Sequence, residues 1–134
     1  MLLIINLSNC MKLKLPALLT ITSFLFVGCS STDSRISLVK NGVMDFCPQG
    51  NVKEMVNNFV DSPKWSAIVA TDGEDYVNLK GKITYDGVPV DMLLQFKVDT
   101  KSDRFEVNAF EMNDIPQNVF MQNALLTNMC SELN

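Results

Sequence analysis

The sequence predicts an α+β domain of two layers, in which an antiparallel sheet of about four strands is flanked by an N-terminal and a C-terminal helix. Three observations predict it. Apolar residues recur at helical spacing from Val52 to Val60. They then alternate with polar residues from Val77 to Val98, on either side of an Asp86-Gly87 pair. Helical spacing returns after the break at Asn113-Asp114-Ile115-Pro116. A sheet with one oily face needs cover on that face, and the helical segments supply it.

Residues 30–44 are mostly polar apart from Ile36-Ser37-Leu38-Val39, and read as a tether into a single domain over 45–134. The turn formers Cys47-Pro48-Gln49-Gly50 come next. Asn51 is placed to cap a helix, and Glu54 three residues on completes a capping box. Val52, Met55, Val56, Phe59 and Val60 then mark one apolar helical face. Asp61-Ser62-Pro63 is expected to end that helix. A first strand is expected over Trp65 to Ala70, turning at Thr71-Asp72-Gly73-Glu74-Asp75.

Val77, Leu79, Gly81, Ile83 and Tyr85 would face one side, with Asn78, Lys80, Lys82 and Thr84 on the other. Asp-Gly between two alternating runs is a hairpin signal. Val90, Met92, Leu94, Phe96 and Val98 continue the oily face against Asp91, Leu93, Gln95, Lys97 and Asp99. The turn Thr100-Lys101-Ser102-Asp103 leads to Phe105, Val107 and Ala109. Phe110 and Met112 switch parity, which predicts a bulge or a strand end covered on both faces. In the last segment Val119, Phe120, Asn123, Ala124, Leu126, Thr127 and Cys130 recur at helical spacing. No internal repeat or second domain is visible.

Ahead of the domain, Lys12 and Lys14 precede an apolar run from Leu15 to Val27, which ends in Gly28-Cys29-Ser30. The run is short for a helix of ~20 residues spanning a bilayer, and the layout is that of a cleavable secretory signal. Leu25-Phe26-Val27-Gly28-Cys29 resembles the lipobox of bacterial lipoproteins. Gly28 and Cys29 match it, whereas Phe26 stands where Leu is usual. The resemblance covers residues 11–30. It implies that Cys29 is acylated, that residues 1–28 are a removed signal segment, and that the lipid bilayer is a partner through Cys29. A polar tether, residues 29–44, would follow. Residues 1–10 carry no positive charge, so translation is expected to start at Met11. Cys10 follows Asn9, a poor cleavage context. Ser30, rather than Asp, after the lipobox points to the outer membrane, facing the periplasm. An ordinary secretory signal or a buried apolar helix is the alternative reading of the same segment.

The chain has 134 residues and a formal net charge of -4. Lys12 and Lys14 are the charged residues before Cys29, so the part after cleavage carries nine basic against fifteen acidic residues, a net of -6. Such a balance argues against nucleic-acid partners. Histidine is absent. This excludes Ser-His-Asp and Cys-His catalysis within the chain, and zinc sites that use His. An all-cysteine zinc site needs close Cys pairs, and the sequence has none. No cofactor is expected.

Four cysteines occur. With Cys10 upstream of cleavage and Cys29 acylated, Cys47 and Cys130 remain as an even pair in an oxidising compartment. A disulfide between them would close a loop of roughly 80 residues and stabilise by about 4 kcal/mol on the chain-entropy model. Two free core cysteines are the alternative.

Few residues suggest chemistry. Asp72, Glu74 and Asp75 supply oxygen ligands for a calcium ion, or a solvated turn. Glu106 and Glu111 are a conceivable acid–base pair, but an odd offset in a regular strand puts them on opposite faces. Trp65 either binds a ligand or anchors the core. The methionines read as core filling. Lys80, Lys82, Gln95 and Lys97 make a wet face, either a binding surface or plain solvated sheet. No phosphate loop or nucleophile elbow occurs. The expectation is a non-enzymatic envelope lipoprotein acting through protein–protein contacts with an envelope partner, in envelope assembly or maintenance. The alternative is a periplasmic inhibitor or immunity protein against a toxin or hydrolase.

Overall fold

The computed structural model describes residues 33–133. The elements are α1 (Ser34–Asn41), α2 (Val52–Phe59), β1 (Asp61–Val69), β2 (Asp75–Tyr85), β3 (Val88–Asp99), β4 (Arg104–Met112), β5 (Ile115–Pro116) and α3 (Val119–Ser131). The strands form one antiparallel sheet in the order β1-β2-β3-β4-β5. The α+β class stands, with five strands where about four are expected and three helices where two are.

The additional helix is α1, which lies within the segment read as tether. It has only eight residues, too few to be stable alone in water. Packing holds it: Ile36 and Val39 are buried among the sheet residues, and Arg35 pairs with Asp75 at 2.8 Å. α2 follows its sequence closely. The Asn51 side chain accepts from the Glu54 amide and the Glu54 carboxylate accepts from the Asn51 amide, both at 2.9 Å. Val52, Met55, Val56 and the C-cap Val60 are buried. The chain then passes directly into β1 at Asp61, earlier than expected, through a bulge in which Ser62 has φ 53°.

The inner row of the sheet is Val77, Leu79 and Ile83 on β2, with Met92, Leu94, Phe96 and Val98 on β3, all buried. Together with the helix residues they form one core. Phe96 is its centre, stacked on Trp65 at 6.2 Å and met edge-on by Phe105 at 5.9 Å. Asp86 and Gly87 turn the β2–β3 hairpin with positive φ at both, as a type I′ turn requires. Asn113 and Asp114 do the same at the β4–β5 turn, so the expected break is a second tight hairpin.

α3 begins where helical spacing places it but turns a different face inward. Leu125, Leu126, Met129 and Cys130 are buried, while Val119 and Phe120 are exposed. Cys130 is joined to Cys47 by a disulfide, with Cα atoms 5.8 Å apart. The bond ties the loop before α2 to the end of α3. No helix among the described residues is long and apolar enough to cross a membrane.

Candidate functional site

The strands carry their polar side chains on the face away from the helices. Asn78 on β2, Gln95 on β3 and Asn108 on β4 sit side by side there. The Gln95 amide donates to Asn78 Oδ1 at 3.0 Å, and the Asn108 amide donates to Gln95 Oε1 at 2.7 Å. Asn108 takes part because of a bulge: Gln95 pairs with Ala109 and Phe96 with Val107, which leaves Asn108 as the extra residue. Of the two readings of the parity switch at Phe110, the bulge is the one the register shows. Lys82 pairs with Asp91 across the strands. Lys80 faces Lys64 in register, two like charges beside the sheet edge.

The same bulge overturns the expected placement of Glu106 and Glu111. Glu106 is registered with Lys97 and Glu111 with Leu93, both on the polar face of β3. The inserted residue restores the parity that the odd offset removes, so the two carboxylates share a face. They are four positions apart along β3, about 13 Å at 3.3 Å per residue. Two carboxyl groups that flank one glycosidic bond lie about 5–9.5 Å apart, so this pair is too far separated for that chemistry. The other strand carboxylates are registered against cations or apolar residues: Asp61 and Asp91 against Lys82, Asp99 against Arg104, and Asp75 between Val69 and Val98.

In the β1–β2 turn, each acid of the Asp72-Glu74-Asp75 cluster has its own partner. Asp72 Oδ1 accepts from the Glu74 amide, Glu74 pairs with Lys97 at 3.2 Å, and Asp75 pairs with Arg35. Among the described residues no group of three or more His, Cys, Asp or Glu is placed to hold a metal ion. Glu74 raises the Lys97 pKa through its hydrogen bond and its charge. At the β3–β4 turn, the Ser102 hydroxyl and the Lys101 amide hold the Asp99 carboxyl below its ordinary value. Lys97 reaches from β3 to the β1–β2 turn, and Asp99 accepts from the amides of the β3–β4 turn. Beside these turns lies a wide groove of about 1090 Å³, lined among others by Met44, Phe105, Val107, Lys97, Arg104 and Glu106.

Trp65 is a half-buried core anchor, with the Lys40 ammonium 5.6 Å from its ring centre. Met55, Met92 and Met129 are buried in the core. Cys29, the expected acylated residue, lies outside the described residues. Sequence reasoning missed the exposed apolar residues. Phe120 is 80% exposed, Ile115 62% and Val88 57%. Phe120 is counted into a helical stripe by spacing alone, and only the facing element decides which stripe is inside. No protein-family model, no curated protein and no solved structure matches the chain.

Proposed function

We propose that this chain is a lipid-anchored bacterial envelope protein that acts through protein–protein contacts, in envelope assembly or maintenance. Cys29 carries the acyl chains in this reading, and Ser30 favours the outer membrane, facing the periplasm. The observation that carries it is the Cys47–Cys130 disulfide, a bond that persists in oxidising compartments. It stands downstream of a lipobox-like segment, in a chain of 134 residues without histidine. The separation of Glu106 from Glu111 supports a non-enzymatic role. The polar sheet face and the exposed Ile115, Val88 and Phe120 support one based on contacts.

Mass spectrometry of the protein taken from membranes, beside a Cys29→Ala variant, tests the reading. The expected result is a mature N-terminus at Cys29 with acyl chains, and loss of membrane association in the variant. A free, unacylated N-terminus at another residue would overturn the anchor. It would favour a diffusible inhibitor of a toxin or hydrolase.

A further inference from the structure

We propose that the domain stands on the bilayer by the end that carries the β1–β2 turn, with the Tyr85–Val88 hairpin tip held away from the lipid. This rests on the acylation of Cys29 proposed above. Only Ser30, Ser31, Thr32 and Asp33 separate Cys29 from Ser34, the first residue of α1. A fully extended chain spans at most about 3.6 Å per residue, so Ser34 lies within about 18 Å of the acylated residue. Unwinding α1 to lengthen the tether would pull Ile36 and Val39 out of the core.

The start of α1 is fixed at one end of the sheet. The Arg35 guanidinium pairs with Asp75 and reaches the Ile68 carbonyl at 3.5 Å. Asp75 opens β2 and Tyr85 closes it. Ten steps of about 3.3 Å put the hairpin tip about 33 Å from Asp75. A tip-down pose would lift the start of α1 to about that height, nearly twice the reach of the tether. Exposed charges stand both on the open sheet face, at Lys80, Lys82, Asp91 and Glu106, and at the turn end, at Asp72, Glu74, Lys101 and Asp103, so hydration does not choose between the two. The tether does, because the start of α1 lies at the turn end and on the side of the sheet opposite the open face. The turn end also brings Val69, an exposed apolar side chain, towards the lipid. Tyr85 and Val88, both exposed, then face the aqueous space and are open to a protein rather than to the bilayer.

The test uses the acylated protein with a single fluorophore on Thr71→Cys or on Val88→Cys, in vesicles of phosphatidylethanolamine and phosphatidylglycerol carrying a headgroup-linked acceptor. With Cys47 and Cys130 joined and Cys29 acylated, the new thiol takes the label. The expected result is flotation with the vesicles and energy transfer several-fold stronger from position 71 than from position 88. Equal transfer from the two positions in protein that floats overturns the orientation and leaves the anchor standing. Failure to float overturns the anchor, and the orientation with it. A third protein carries twenty extra Gly/Ser residues after Asp33. Its tether spans about 27 Å on the flexible-chain estimate, and the difference between the labels should shrink. A difference that persists undiminished overturns the tether as its cause.

Discussion

Val60 and Gly81 meet where the chain leaves α2 and enters β1. A Cβ on Gly81 would lie 2.4 Å from Val60 Cγ1 and 2.9 Å from the Asp61 carbonyl oxygen, a backbone atom that cannot rotate away. Gly81→Ala should therefore lower stability by about 1–3 kcal/mol, the cost of overpacking a filled site. Gly87→Ala makes the comparison: nothing lies within 4 Å, but φ is +84° at Gly73 and +78° at Gly87, so strain alone acts there, about 1–2 kcal/mol. Urea unfolding of the two Ala variants reads both. A Gly81→Ala variant as stable as the wild type would deny the close approach. Charge at single residues shows on the pH axis. Asp99 is held below its ordinary value of 3.8, so its contribution is present above that value and is lost as pH falls through the lower folded pKa. Lys97 is held above 10.5, so its contribution is present below that value and is lost as pH rises through the higher folded pKa. Asp99→Asn should thus be less stable than the wild type at pH 7, with the gap closing in acid. Lys97→Met should show a gap that closes only in strong alkali. A gap that widens in either direction would reverse the assignment.

At the scale of elements, α2 depends on its reciprocal cap. Asn51→Ala removes the acceptor of the Glu54 amide, and should cost about 1 kcal/mol by urea unfolding. An unchanged midpoint would mean that the cap does not hold in solution. The sheet edge offers the opposite sign. Lys64 faces Lys80, and like charges directly opposite are destabilising, so Lys64→Glu should raise stability by about 0.2–1 kcal/mol, most at low salt. The elements that are legible in the sequence are those fixed by their own residues: the capping box, the Asp86-Gly87 turn, the period-2 rows, and the bulge betrayed by Phe110. Those that depend on a distant surface are not. α1 has too few apolar residues to announce itself, and becomes a helix because the sheet has room for Ile36 and Val39. The buried stripe of α3 is decided by what it meets, so Leu125 and Met129 replace Asn123 and Thr127. The candidate surface is legible only by type. Lys80, Lys82, Gln95 and Lys97 read correctly as one polar face, yet the side-by-side amides need the strand register, and Glu106 and Glu111 share a face only through the bulge.

For the molecule as a whole, the decisive feature is one covalent bond. Cys47 and Cys130 are 83 residues apart in sequence, and the whole of the sheet lies in the loop they close. The chain-entropy model gives about 4 kcal/mol for such a loop. Domains of this size have about 5–15 kcal/mol in total, so the bond accounts for a large share. The bond also closes the contact between the end of α3 and the loop before α2. The start of α3 is held by the Asn118 cap and by Met121, half-buried against the core, while Phe120 beside it is exposed. The double variant Cys47→Ala with Cys130→Ala should therefore lose about 4 kcal/mol in urea unfolding at pH 7. Reduction of the wild-type protein should move its midpoint to about the same place. Hydrogen exchange separates the two ways this can happen. If the bond acts on the unfolded chain, protection falls evenly across the sheet and helices of the variant. If it acts by holding α3 in place, amides of Leu125 to Met129 lose protection first while those of β2 and β3 keep theirs. A variant as stable as the wild type, with α3 protected, would show that packing of Leu125, Leu126 and Met129 is sufficient to close the domain.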